Sequence, residues 1–114
     1  MDCLFCKIIA GTLTSKKIYE DSDVIAIQDI TPQAPIHYLF MPKTHIENID
    51  KLPADSMVMT KLFSAIQKVA KKEGFSEKGF RTSINTNKDG CQSVYHLHVH
   101  LLAGRQLGGN MVGI

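Results

Sequence analysis

Short apolar runs in the first third of the chain predict one helix followed by three strands. The first run ends at Gly11, a residue suited to the left-handed position just past a helix. The next two runs are rich in β-forming residues and flank the turn-forming triplet 21–23, which predicts a hairpin. Another β-rich run follows a proline-containing loop and is halted by Pro42. The predicted elements are a helix over 3–11 and strands over 18–20, 24–27 and 37–41.

The rest of the chain predicts a long amphipathic helix and two further strands. Pro53 is a favoured first helical residue, and Gly74 is expected to end the helix that follows. Between them, apolar residues recur at helical spacing at Val58, Leu62, Ala65, Ile66 and Val69. Apolar and polar residues then alternate over 80–84 and over 94–103, which predicts two strands joined by the polar loop 85–90.

These elements predict a single α+β domain over residues 1–114. A chain of 114 residues suffices for one hydrophobic core, since a second core needs roughly another hundred residues. The connections before the long helix are short and one crossover follows it. We therefore expect a five-stranded, mostly antiparallel sheet, with one short N-terminal helix and one long helix on the same side of it.

Composition and charge exclude several classes of protein. The chain is 44% hydrophobic and 21% charged, which is typical of globular domains and disfavours disorder. The net charge is +2, and the basic cluster of Lys68, Lys71 and Lys72 is too sparse for nucleic-acid binding. No apolar run approaches the roughly 18 residues of a membrane span, so we expect a cytoplasmic protein that binds no membrane. Three cysteines are an odd number for a disulfide framework.

The histidines carry the strongest chemical signal. His96, His98 and His100 lie within five residues, and alternation along a strand would place all three on one face. Such a row suits either a hydrolytic Zn²⁺ site or direct attack of one imidazole on phosphorus. The preceding loop 89–93 offers backbone N–H groups and a hydroxyl as a phosphate cradle, whereas the strand lacks the carboxylate base of a zinc hydrolase. Phosphoryl chemistry is therefore favoured over metal hydrolysis.

The segment 92–102 resembles the signature of histidine triad (HIT) nucleotide-binding proteins, in which three histidines alternate with apolar residues. The resemblance is to the Hint branch, and it covers nearly the whole chain in family order, through segments 3–9, 19–21, 29–35, 42–46 and 104–106. It implies a homodimer whose sheet continues across both protomers. It also implies hydrolysis of purine nucleoside phosphoramidates, with AMP, GMP and their conjugates as ligands.

The resemblance further implies roles for the residues around the phosphate. His98 would be the nucleophile that takes the nucleotidyl group, and His100 would contact the phosphate oxygens. Ser93 would hydrogen-bond a phosphate or leaving-group atom. His37 would complete the catalytic pocket, and Asn85 would also face the phosphate. Cys91 and Gln92 lie in the same loop, and Cys91 replaces a glycine that the family usually has there, which could alter the backbone approach to the phosphate.

The resemblance also assigns residues to the ribose and the base of the nucleotide. Asp29 matches the acidic residue that accepts both ribose hydroxyls, a role suited to a carboxylate. The base would lie in an apolar slot formed by Leu4, Phe5, Ile8, Ile27 and Ile30, although such residues serve equally well in a core. The tail 107–114 matches no family version, so the preferred leaving group stays open.

The remaining histidines and cysteines suggest a second site. Cys3 and Cys6 lie one helical turn apart, and with His45 and His96 they would form a closed Cys₂His₂ set for a structural zinc ion. Bacterial members of the family with this cysteine pair have the same set. Zinc would then be an accessory to folding with no part in catalysis. The alternative is that both thiols pack as small apolar groups.

The sequence therefore favours a nucleotidyl-histidine hydrolase. Two alternatives stay open: a nucleotide-binding regulatory module with vestigial hydrolysis, and a dinucleoside polyphosphate hydrolase. The ending Gly104-Arg105-Gln106 disfavours the second.

Overall fold

Five strands pair antiparallel in one sheet, in agreement with the predicted fold class. The computed structural model describes residues 2–109. Along the sheet the strand order is β1-β2-β3-β5-β4. The elements in chain order are α1 (Leu4–Ala10), β1 (Lys17–Glu20), β2 (Val24–Gln28), β3 (Ile36–Pro42), a 3₁₀ turn (Ile49–Lys51), α2 (Val58–Glu73), β4 (Arg81–Ser83) and β5 (Val99–Ala103). No helix within 2–109 is long and apolar enough to cross a membrane.

The two helices cover opposite faces of the sheet, so the expectation that both lie on one side is wrong. In β2, Val24 and Ala26 pack in the core that contains α2, whereas Ile25 and Ile27 pack with Phe5 of α1. A strand that is apolar at successive positions must be covered on both faces. The short helix therefore closes a second, smaller core, and a cavity opens at its edge.

The long helix begins later than the proline signal predicted. Pro53 starts a turn in which its carbonyl accepts a hydrogen bond from the Ser56 N–H at 3.1 Å, and Ser56 Oγ accepts from the Val58 N–H at 3.2 Å. These bonds satisfy the backbone outside the helix, which starts at Val58. Its other end is as predicted, because Gly74 has a φ of +83° and donates to the Ala70 carbonyl at 3.0 Å.

The last strand is shorter than the alternation over 94–103 predicted. It pairs with β3 from Val99 onward, because the preceding segment turns away and the Leu97 N–H donates to the Ile46 carbonyl at 2.6 Å. Tyr95 consequently lies 42% exposed instead of on the buried apolar face. The bend also takes His96 away from the expected row of three, since it lies beyond the strand and contacts residues of α1.

Two glycines with positive φ provide a test of the packing beside the site. Gly74 (φ +83°) has open space where a Cβ would be, whereas a Cβ on Gly104 (φ +99°) would lie 2.8 Å from the Cβ of Pro35. We expect Gly74→Ala to lower the free energy of unfolding by about 1–3 kcal/mol through backbone strain. Gly104→Ala should cost more, because the proline loop must also move. Urea unfolding of both variants measures this, and equal losses would show that the Pro35 contact contributes nothing.

Candidate active site and metal cluster

A cavity of about 400 Å³ opens between α1 and the sheet, beside His98 and His100. One side is apolar, and the other carries the polar side chains of Asp29, Ser93, His98 and His100. Nine predicted site residues line it: Leu4, Phe5, Ile8, Ile27, Asp29, Ile30, Ser93, His98 and His100. Ile30 is 92% exposed and so stands at the rim.

His98 is held with its Nε2 lone pair free. Its Nδ1 lies 2.7 Å from the carbonyl oxygen of His96, which can only accept, so Nδ1 must carry the proton. The Phe5 ring packs edge-on at 5.0 Å between centroids and limits rotation of the imidazole. Burial lowers the pKa of His98 and keeps the ring neutral. The unprotonated Nε2 is the form of imidazole that attacks an electrophile.

His100 has the opposite tautomer from His98, because His37 donates a hydrogen bond to its Nδ1. The Gln33 N–H donates to His37 Nδ1 at 3.0 Å, so the proton of neutral His37 is on Nε2. That N–H lies 2.9 Å from His100 Nδ1, which therefore accepts and leaves a donor at His100 Nε2. Burial, followed by the neighbouring His98 and His37, lowers the pKa of His100 to about 4. His100 is thus a neutral hydrogen-bond donor beside the unprotonated Nε2 of neutral His98.

Asp29 lies next to the hydrogen-bonded pair of His37 and His100. One carboxylate oxygen accepts from the Thr31 N–H at 2.8 Å and from its hydroxyl at 3.2 Å, and the other lies 3.4 Å from His37 Nε2. With His37 and His100 it forms a group compact enough to hold a metal ion. The Gln33 N–H opposes that use, because it occupies the lone pair of His37 Nδ1 and keeps the proton on the nitrogen that would have to bind the ion. The group is better described as a hydrogen-bond relay.

The loop before His96 supplies Ser93 and little else directly to the cavity. Asn85 Nδ2 donates to the Gly90 carbonyl at 2.6 Å, and Gly90 has no room for a Cβ because one would lie 2.5 Å from the Thr86 oxygen. Cys91 is exposed with a φ of +61°, the left-handed conformation that favours glycine. Gln92 is buried and its side chain faces away, toward the backbone of Glu47 and Val94.

Four predicted site residues therefore do not line the cavity: His37, Asn85, Cys91 and Gln92. His37 lies behind the lining and bonds to His100, whereas Asn85, Cys91 and Gln92 belong to the loop that leads to Ser93. Other residues that the sequence did not single out do line it: Leu13, Thr14, Ser15, Gln28, Thr31, Leu39 and Val94. Thr31 was detectable in principle, because an Asp followed two residues later by a hydrogen-bonding Thr is a common turn signal. Leu39 lies two residues from His37 and so shares its side of β3.

The second predicted cluster is assembled as expected from Cys3, Cys6, His45 and His96. The Nδ1 of His96 lies 3.5 Å from Cys3 Sγ, 3.6 Å from Cys6 Sγ and 3.3 Å from His45 Nδ1, and Cys6 Sγ lies 3.3 Å from His45 Nδ1. A tetrahedral zinc ion separates such donors by about 3.3–3.8 Å, given Zn–S near 2.3 Å and Zn–N near 2.0–2.1 Å. The donor set therefore fits zinc.

His96 is prepared to be such a ligand. Its Nε2 lies 2.8 Å from the carbonyl oxygen of Pro42 and must carry the proton, so that the Nδ1 lone pair faces the cysteines. A carbonyl that fixes the tautomer of a histidine in this way is the usual outer partner of a metal ligand. His96 also reaches the active site, because its own carbonyl oxygen holds His98.

Comparisons with known proteins agree with this geometry. The HIT domain family matches residues 10–107. The purine nucleoside phosphoramidase of Escherichia coli is 40% identical over 108 residues, covering 94% of this chain and 91% of that protein. The 14 kDa zinc-binding protein of Brassica juncea is 44% identical over 109 residues, covering 93% and 96%. A histidine triad protein from Clostridium difficile superposes with a TM-score of 0.92 at 44% identity, covering 95% of each chain.

The fold and the paired imidazoles thus define a nucleotidyl hydrolase of the histidine triad type. The chain belongs to the HIT domain family, and its relatives are consistent with the Hint branch, which confirms the resemblance seen in the sequence.

Proposed function

We propose that this protein hydrolyses purine nucleoside phosphoramidates through a covalent nucleotidyl group on His98. The observation that carries the proposal is the hydrogen bond from His98 Nδ1 to the His96 carbonyl, which leaves Nε2 unprotonated beside the cavity. The phosphoramidase activity named for a relative at 40% identity supports the substrate class. The test is to incubate the protein with an adenosine phosphoramidate and follow AMP. Tight AMP binding without release would favour a regulatory module instead.

The reaction would proceed in two displacements at phosphorus. In the first, Nε2 of His98 forms a bond to phosphorus, the P–N bond of the substrate breaks, and the amine leaves with a proton taken up from solvent. In the second, water attacks phosphorus and loses a proton to solvent, the P–Nε2 bond breaks to restore neutral His98, and the nucleoside monophosphate is released. The Nε2–H of His100 would stabilise the charge on the phosphate oxygens. The exposed Ser93 hydroxyl, on the cavity wall, would donate to the departing nitrogen.

The rest of the cavity would orient the nucleotide. Asp29 would accept hydrogen bonds from both ribose hydroxyls, and the apolar wall formed by Phe5, Ile8 and Ile27 would take the base. Asn85, Cys91 and Gln92 would act on the phosphate through the shape of their loop. This arrangement orders sugar, phosphate and nucleophile along one cavity.

The cluster of Cys3, Cys6, His45 and His96 would hold a zinc ion that stabilises the fold. Four protein ligands leave no open position, so the ion would supply folding energy and take no part in the two displacements. The zinc-binding relative supports this assignment.

We further propose that two chains form a homodimer by continuing the sheet across their β4 edges. All three residues of β4 are exposed, and Phe63 and Phe80 are 42% and 38% exposed. The other edge, β1, is interrupted by an irregularity between Lys17 and Tyr19, which disfavours strand addition there. A second copy at β4 would also cover Phe80, which directly precedes this strand.

Replacing His98 tests the nucleophile. His98→Ala should lower kcat by more than about 10³-fold while AMP binding and folding stay nearly intact, because the lost nitrogen forms a bond made only during the reaction. Intact-protein mass spectrometry should detect a nucleotidyl adduct on the wild type and none on the variant. Turnover of His98→Ala at the wild-type rate, or an adduct on another residue, would refute the assignment.

Replacing Asp29 tests the ribose site. Asp29→Asn should weaken AMP binding about 10- to 100-fold, the range expected for hydrogen bonds to a charged acceptor. The loss for 2′-deoxy-AMP should be much smaller, since that ligand presents one hydroxyl fewer. Isothermal titration of both ligands measures the difference. Equal losses for the two sugars would remove Asp29 from this role.

Removing the cysteines tests the zinc assignment. One zinc per chain should copurify, and EDTA should lower Tm without stopping turnover in protein that stays folded. The double variant Cys3→Ser/Cys6→Ser should lose the metal and melt at lower temperature, yet keep most of its activity well below Tm. Cys91→Ser is the matched control for metal content and Tm, because Cys91 lies outside the cluster. Zinc retained by the double variant, or turnover abolished by chelation of folded protein, would contradict this account.

A further inference from the structure

A buried amide network lies behind the loop that carries Ser93. Asn48 is 1% exposed and Gln92 is 8% exposed, and neither touches the cavity. Asn48 Nδ2 donates to Asn87 Oδ1 at 3.0 Å and to Gln92 Oε1 at 3.2 Å, while its Oδ1 accepts from the Asp50 N–H at 3.1 Å. Asn48 is therefore bonded on both sides of its amide, to the loop and to its own 3₁₀ turn.

Gln92 passes this constraint to the segment that enters the active site. Its Oε1 also accepts from the Asn87 N–H at 2.9 Å, and its Nε2 donates to the carbonyls of Glu47 at 2.7 Å and Val94 at 3.1 Å. The bonds to Asn87 and Val94 tie the backbone before and after Ser93 to the same side chain. The turn also has two backbone bonds of its own, from the Gln92 N–H to the Asn87 carbonyl and from the Cys91 N–H to the Lys88 carbonyl, both at 3.0 Å. The side chains of Asn48 and Gln92 attach this turn to the rest of the fold.

We infer that Asn48 is a positioning residue for the phosphate end of the active site. It acts through Gln92 to hold loop 85–92 and Ser93 where a substrate phosphate would lie. The inference rests on the proposed function for its chemistry, and it assigns a catalytic consequence to a residue that touches no reacting group. A misplacement of about 1 Å remote from the chemistry is enough to cost about 10²-fold in rate.

The discriminating variant is Asn48→Ser. Serine keeps an oxygen that can cap the 3₁₀ turn, but it is too short to reach Gln92 and Asn87. We expect kcat to fall about 10- to 100-fold, with affinity for adenosine, which has no phosphate, unchanged and affinity for AMP reduced. Amide hydrogen exchange should accelerate within 86–93. Asn87→Gly removes one acceptor of the same network at an exposed, positive-φ position, and should give a smaller loss of the same kind.

Asp21→Ala is the control for stability alone. Asp21 Oδ1 accepts from the Asp23 and Val24 N–H groups at 2.8 Å in the β1–β2 turn, outside the cavity, so its loss should lower Tm without lowering kcat. Wild-type kcat and exchange in folded Asn48→Ser, or in Asn87→Gly if the first does not fold, would overturn the inference. An equal loss of kcat in Asp21→Ala would also overturn it. A wild type without turnover would refute the proposed function instead, and the binding and exchange measurements would still decide the role of Asn48.

Discussion

The active site depends on one hydrogen bond, from His98 Nδ1 to the carbonyl oxygen of His96. A neutral imidazole has one donor and one acceptor nitrogen, and a carbonyl can only accept, so this bond at 2.7 Å decides which nitrogen has a free lone pair for the proposed attack. The carbonyl can serve only because the chain bends before Val99 and does not continue β5. A regular strand would direct that oxygen toward a neighbouring strand instead.

Several separate contacts hold the bend in place. The Leu97 N–H bonds to Ile46, the His96 ring bonds to Pro42, and the cysteines of the N-terminal segment enclose the other side of that ring. The predicted zinc cluster and His98 are therefore linked through a single residue. His96 contributes its side chain to one site and its carbonyl to the other. The proposed role of zinc in folding is to stabilise this corner, where α1 meets the end of the sheet.

Burial sets the protonation of the imidazoles. It lowers the pKa of both His98 and His100, so neither ring is charged at neutral pH. Their roles are then divided by tautomer and not by charge. His98 presents a lone pair because a carbonyl faces its other nitrogen, and His100 presents an N–H because His37 donates to it. This division places a free lone pair and a hydrogen-bond donor side by side without charging either ring.

Periodicity predicted most of the fold, and local chemistry together with the family resemblance predicted nine of the residues that line the cavity. The apolar spacing of Leu62 to Val69 identified α2, and two of the three alternating histidines, His98 and His100, lie in the cavity wall. Three features escaped because each depends on contacts remote in sequence. Ser56 delays the start of α2, Ile46 bends the segment before β5, and both faces of β2 need cover. The role proposed for Asn48 is also invisible in sequence, since its partners lie about forty residues away.

The tautomeric state of His98 tests the central claim most directly. Long-range ¹H–¹⁵N spectra of histidine-labelled protein, assigned by comparison with His98→Asn, report which ring nitrogen carries the proton. At neutral pH we expect a neutral ring with the proton on Nδ1 and a bare Nε2. A proton on Nε2, or a ring protonated on both nitrogens, would contradict the account, because no lone pair would then be free to attack phosphorus.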